Sequence, residues 1–425
     1  MRGTLTAVET SAFCFASDLA DEGVEQVLEN LQVRAGLGGA TMAAAYHAAR
    51  DVFPHAARRH LRFQRGGEVF FAPAPARWRG LAVKPRVSEL VADGDPLRGL
   101  VEACVRRGMA ARAWTVFLHV DWTEDGDPRF AEQTCFGDPC LTELCPANPD
   151  VRAYAVALAA DVSATGVQDV LAESLHFHGL EHGAHHERYF VEPGSVGRLL
   201  LGLCFCEHCV VAAAAFGVDG AELRRRACAL VERAFAGAQA VSTDELSRDQ
   251  AEALLGGQLG GYLAARLATV SSLVHEVAAA TREAGSRLVY MDSSGAAKGY
   301  ASGLPQGGPA PELAWRFGTD VAAVAEACGA LEAIAYAADP ARVELDLAAY
   351  RELAPSAALS AALRPAPPDC TDSANLAAKL RVASAVGVER VDFYHYGLAP
   401  LSALDLIGRA LTKKSAPNVP DPNGA

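Results

Sequence analysis

The sequence predicts a (β/α)8 TIM barrel. Eight short apolar runs recur along the chain, and longer stretches of helical pattern lie between them. Buried parallel strands read as continuous apolar runs, so this alternation is the barrel signature. No Gly-x-Gly-x-x-Gly follows the first run, which counts against a doubly wound sheet.

The strands are expected at Ala12–Ala16, Ala40–Tyr46, Ala113–His119, Val167–Ser174, Leu288–Asp292, Leu331–Tyr336, Ala357–Leu363 and Val391–Tyr396. Helices are expected at Asp21–Ala35, Asp95–Gly108, Asn148–Thr165, Asp320–Gly329, Asp346–Leu353 and Ser373–Gly387. Several open on Asp, Asn or Ser and close near Gly, which is the chemistry of helix caps. Two insertions interrupt the rhythm. The first, about 54–94, carries a β-hairpin in His60–Ala72 turning at Gly66–Gly67. The second, about 199–284, follows the fourth strand as a helical elaboration with segments near Ala221–Phe235 and Asp244–Ala284. The apolar face of Leu255–Val277 suits either a homo-oligomer interface or packing on the barrel. Residues 1–411 form one domain in this reading, and 412–425, rich in Pro and Asn, are expected to be a disordered tail.

Of the 425 residues, 51% are hydrophobic and 21% charged, the balance of a globular chain. A formal charge of -13 argues against nucleic acid or an anionic membrane as partner. The sequence shows neither a signal peptide nor an apolar run of membrane-spanning length, so a cytoplasmic protein is expected. Its eleven cysteines then read as thiols or ligands rather than disulfides.

In such a barrel the site lies at the C-terminal ends of the strands. Those ends deliver Tyr46 and His47, then His119, Asp121 and Trp122, then Glu173, His176 and His178. Asp292, Arg364 with Asp369, and Tyr396 follow from later strands. Carboxylates, imidazoles and aromatic rings make a cleft suited to sugars, and cleavage of a glycosidic bond needs two carboxyl groups. Glu173 is the first candidate and Asp292 the second, with Tyr46, His47, His119, Asp121, Trp122, His176, His178, Arg364 and Tyr396 binding substrate.

The order of Tyr46-His47, LCPANPDVRAY, AES and LCFCEHC resembles that of bacterial glycoside-hydrolase-like barrels. These are similar to the clan of retaining glycosidases with a catalytic Glu at the end of strand four. The resemblance implies acid/base duty for Glu173 and a carbohydrate or glycoside as substrate. It also implies a nucleophilic Glu at the end of strand seven, where this chain has LSAALRPAPPD and no Glu.

Two rival readings stand beside it. A metal-dependent hydrolase or sugar isomerase would use Glu173, His176, His178 and Asp292, drawing on a histidine-rich stretch that also holds His182, His185 and His186. A non-catalytic sugar-binding barrel would explain the missing carboxylate. No cofactor is expected for the two-carboxylate enzyme. Cys204, Cys206 and Cys209 could form a structural zinc site completed by Cys145, Cys135 or Cys140, with His208 as a further candidate ligand; the alternative is buried thiols that pack the insertion onto the barrel.

Overall fold

The computed structural model describes residues 8–180, 188, 190–237 and 242–414. Eight strands form the barrel: β1 (Glu9–Cys14), β2 (Gly39–Tyr46), β3 (Ala110–Val116), β4 (Asp169–Glu173), β5 (Arg287–Asp292), β6 (Ala330–Ile334), β7 (Ala358–Leu363) and β8 (Arg390–Phe393). Each pairs in parallel with its neighbours, and β1 pairs with both β8 and β2, so the sheet closes. Every expected apolar run overlaps one of these strands, six of which begin one to three residues earlier than expected.

Helices pack around the sheet, and their ends follow local chemistry. The helix Pro96–Arg107 opens on Asp95, whose carboxylate accepts the Arg98 amide, and closes at left-handed Gly108. Asn148, Asp320 and Asp372 cap Pro149–Ser163, Val321–Cys328 and Ser373–Val386 in the same way. Asp339 caps Pro340–Leu353, which therefore starts six residues ahead of the expected Asp346. The stretch after β1 is broken at Gly23 (φ +87°) into Ala16–Glu22 and Val24–Glu29.

The first insertion pairs differently from its expected form. Ala49–Val52 runs antiparallel to Leu61–Gln64, whereas Glu68–Val69 joins the end of β2. Gly66 and Gly67 are not a hairpin tip. They lie so close to the chain after β3 that a Cβ would collide with Val120 and Asp121 at Gly66 and with the Trp122 indole at Gly67.

The 27-residue helix Gly257–Glu283, counted with the second insertion above, belongs to the barrel's own helical layer. It packs against Pro149–Ser163, β5 and Val321–Cys328. Its Leu259, Leu263, Val270, Leu273 and Val277 are buried in that packing, which accounts for the apolar face. No helix among the described residues is long and apolar enough to cross a membrane.

The lumen is charged near the N-terminal ends of the strands. Arg390 is buried and donates to Asp392 at 2.5 Å, Asp169 at 2.8 Å and Glu332 at 2.9 Å. Asp169 also accepts from Arg112 at 3.0 Å and Arg287 at 2.9 Å. Strand side chains alternate between faces, so these contacts fix which residues further along point inward. Counting in twos, β4 sends Asp169, Leu171 and Glu173 into the lumen. The β8 line leads from Arg390 through Asp392 to Tyr394, and the β6 line from Glu332 to Tyr336.

Candidate active site

Glu173 ends β4 inside the barrel mouth. Two residues below it, Leu171 is in register with Trp114 of β3, whose Nε1 donates to Glu173 Oε2 at 2.5 Å. Phe13 and Tyr46 pack edge-on to Trp114, with ring centroids 5.1 and 4.6 Å away. Tyr394, just past β8, lies 5.8 Å from Trp114 and 5.6 Å from Tyr336, and Tyr300 meets Tyr336 at 5.2 Å. Tyr46 and Tyr394 lie close enough for each phenol to shift the pKa of the other.

Burial in this aromatic ring raises the Glu173 pKa, while the Trp114 hydrogen bond and the charge of His119 pull it back. The result is a carboxyl that holds its proton more firmly than an exposed one. Burial also raises Tyr394, to about 12, so its phenol stays protonated. Two non-glycine residues among those described have positive φ, and both sit at the rim: Asp121 (φ 48°) and Ser174 (φ 55°). Such backbone is held only where its surroundings demand it, and here it turns the chain directly after Glu173.

A second group of polar side chains lies beside Glu173. His47 stacks on Tyr46 at 4.1 Å and on His119 at 4.7 Å. His119 Nε2 is 3.3 Å from Asp121, whose other oxygen accepts the Ala48 amide at 2.8 Å. Burial works against a charged His119, but Asp121, Glu143 and Glu173 outweigh it and raise its pKa. His178 follows at 5.4 Å from His119. It lines a cavity of about 220 Å³ together with Glu132, Thr142, Glu143, Cys140 and Cys204. Burial raises Glu132 well above the carboxylate range and Glu143 to about 7.

The metal-centre set Glu173, His176, His178 and Asp292 is not brought together. His176 Nδ1 is bonded to the Phe177 carbonyl at 2.7 Å, and Asp292 faces away from the lumen. Ligand atoms of His47, His119 and Asp121 do lie within 4.8 Å of one another. The two imidazoles are stacked with 14° between their planes, however, and an imidazole binds a metal in its own plane. Two such rings cannot aim at one ion as they stand. His182, His185 and His186 lie outside the described residues.

Several other expected site residues are placed elsewhere. Asp292 shares its face of β5 with Tyr290, and its oxygens accept from Tyr350, on a surrounding helix, and from Ser294 at 2.9 Å. Tyr396 turns to the segments after β1, donating to Glu22 at 2.6 Å and accepting from Asn30 at 2.9 Å. Trp122 is buried beneath Arg86, 5.0 Å from its guanidinium, and is not part of the ring around Glu173. Arg364 does reach the mouth. It lies 4.6 Å from the Tyr336 ring and holds Asp369 through two hydrogen bonds of 2.7 Å.

Asp51, Tyr300 and Tyr336 were not singled out from sequence. Tyr336 was visible as the next inward residue after Glu332 and Ile334. Asp51 lies on the inward side of the hairpin strand Ala49–Val52, between exposed Arg50 and Val52. It is near enough to raise the pKa of both Tyr46 and Tyr394.

No family model matches this chain, and no curated protein matches it. Solved glycoside hydrolases share its architecture. One is α-L-fucosidase isoenzyme 2 from Paenibacillus thiaminolyticus, with 10% identity, a TM-score of 0.52, and coverage of 96% of this chain and 49% of that one. Another is the catalytic domain of β-amylase from Paenibacillus polymyxa, with 10% identity, a TM-score of 0.54, and coverage of 96% and 99%. A third is β-galactosidase from the psychrophilic Marinomonas ef1, with 12% identity, a TM-score of 0.53, and coverage of 96% and 59%. This chain thus spans about half of the fucosidase and three fifths of the galactosidase. At these identities the likeness shows the barrel fold.

Proposed function

We propose that this chain is a glycoside-hydrolase-like enzyme that cleaves or transfers a glycosidic bond, with Glu173 as general acid/base. The observation that carries this reading is the setting of Glu173: a half-buried, proton-retaining carboxyl at the tip of β4, within a ring of Tyr46, Trp114, Tyr336 and Tyr394. A carboxyl with a raised pKa can donate its proton to the leaving oxygen. The phenols offer hydrogen bonds to sugar hydroxyls, and the ring faces suit sugar C–H groups. Arg364, His47 and His119 complete the polar rim.

We assign the second carboxylate to Asp51 in place of Asp292, because Asp51 shares Tyr46 and Tyr394 with Glu173 while Asp292 is bound into the helical layer. The test is a panel of aryl glycosides with good and poor leaving groups. Glu173→Gln is expected to lower kcat by roughly 10²–10⁴-fold on poor leaving groups and far less on dinitrophenyl glycosides. Asp51→Asn is expected to lose activity on both, and Asp292→Asn to lower the melting temperature more than kcat. Unchanged turnover in Glu173→Gln would overturn the reading.

One observation favours a sugar-binding protein without turnover. Arg364 occupies the inward position at the end of β7 where the retaining clan carries its Glu. Calorimetric binding of a glycoside that the wild-type protein never hydrolyses would decide for that reading.

A further inference from the structure

Four cysteines form a site that the sugar chemistry does not use. Cys145 directly follows the hairpin strand Pro139–Leu144, in which Glu143 bridges His119. Cys204 and Cys206 come from the turn that enters the helix Glu207–Ala214, and Cys209 from the first turn of that helix. All four are buried, and their sulfurs lie within 4.8 Å of one another. Cys145 Sγ is 3.5 Å from both Cys206 and Cys209 and 3.8 Å from Cys204.

These distances select one kind of ligand. A disulfide requires sulfurs about 2.05 Å apart, so the cluster is not a pair of crosslinks. Four thiolates placed tetrahedrally about zinc at about 2.3 Å have edges of about 3.8 Å. In a polynuclear iron–sulfur cluster the cysteines bind different irons, which spreads them further apart than this. We propose that Cys145, Cys204, Cys206 and Cys209 bind one zinc ion in a closed tetrathiolate site.

All four positions are taken by sulfur, so the ion has no open coordination place and its role is structural. It joins three parts of the molecule. Cys145 brings the hairpin, the Cys204–Cys209 turn brings the insertion, and Tyr262 of the barrel helix Gly257–Glu283 donates to the Cys204 carbonyl at 2.5 Å. Beside the sulfurs, the turn holds the hairpin through the Phe205 amide on the Gln133 carbonyl at 2.7 Å and the Gln133 amide on Cys204 Sγ at 3.3 Å. Cys204, Glu132 and Glu143 line the same cavity, so the ion also fixes the wall next to His178. Cys135 and Cys140 stand outside the four: the Cys135 carbonyl accepts from Cys228 and Arg224, and Cys140 lines the cavity.

The test uses the full chain, reconstituted with zinc under reducing conditions and freed of excess metal. Elemental mass spectrometry is expected to find one zinc per chain, and a mercurial reagent to release it as four thiols react. The cobalt(II)-exchanged protein is expected to show the intense visible bands of tetrahedral thiolate coordination. Cys135→Ser and Cys140→Ser are expected to keep one zinc, and Cys145→Ser to lose it or bind it far more weakly. No stoichiometric metal in the reduced wild-type chain would overturn the assignment, as would iron in place of zinc or loss of zinc in Cys140→Ser. If Cys145→Ser fails to fold, the cobalt spectrum and thiol stoichiometry of the wild-type protein still decide. None of these readouts depends on glycoside turnover.

Discussion

At the scale of single residues, the proton on Glu173 is set by a contest that can be shifted one contact at a time. Burial raises its pKa, and the Trp114 Nε1 hydrogen bond opposes that rise most strongly. Replacing Trp114 by Phe keeps a ring in the lumen but removes the donor. The carboxyl then holds its proton to higher pH, so the basic limb of kcat/KM is expected to move upward in Trp114→Phe. A pH–rate profile on an aryl glycoside checks this; a downward shift or no shift would mean that Glu173 is not the group seen in that limb. The same scale explains which site residues could be seen in the sequence. Glu173 and Tyr46 end strands in the expected way, whereas Asp292 differs from Met291 by one step of alternation and so faces the helices. The signal lay in the charged residues within otherwise apolar strands. Asp169 forecasts Glu173, Arg390 forecasts Tyr394, and Glu332 forecasts Tyr336, each by steps of two. Asp51 had no such marker, since its place depends on how a hairpin folds over the mouth.

At the scale of elements, apolar runs made all eight strands legible because both faces of each are buried, one in the lumen and one under helices. The loops were less legible for a physical reason: their pairing depends on distant chain. Gly66 and Gly67 look like a hairpin tip from their neighbours alone, yet both are needed where the chain passes Val120, Asp121 and Trp122. The helix Gly257–Glu283 looks like an appendage by its distance from β4 and is instead a wall of the barrel. The element that binds the strands most directly is the charged lumen layer, in which Arg390 links Asp169 of β4, Glu332 of β6 and Asp392 of β8. Removing the cation leaves buried carboxylates uncompensated, which costs about 3–5 kcal/mol in comparable cases. Arg390→Met is therefore expected to destabilise the barrel by that amount in urea unfolding. A change below about 1 kcal/mol would show that the layer relaxes by taking up protons or water.

At the scale of the whole molecule, the buried carboxyls that are not ion-paired tie the stability of the fold to pH. Burial raises Asp18 and Glu143 each to about 7, against unfolded values near 3.8 and 4.5. Between the unfolded and folded pKa values the native chain holds protons that the unfolded chain has released. The contribution from these groups is therefore fully present below about pH 4 and is lost as pH rises through about 7. For Glu143 the shift from 4.5 to about 7 corresponds to a ceiling of roughly 3.5 kcal/mol, at about 1.4 kcal/mol per pKa unit. Other groups act in the opposite sense: Asp169, although burial disfavours its charge, is lowered by its arginine partners, so the pH profile of the wild-type protein alone would not isolate the effect. The comparison with Glu143→Gln does. The amide stays neutral at every pH, so the variant is expected to gain melting temperature relative to wild type as pH rises from about 5 to about 7, with the difference levelling off above that. Both proteins are measured at the same free zinc, so that the pH dependence of the nearby cysteine site enters both and cancels in the comparison. A constant difference across that range would mean that Glu143 is neutralised in another way, with His119, its bridging partner and itself raised by nearby carboxylates, as the first group to examine.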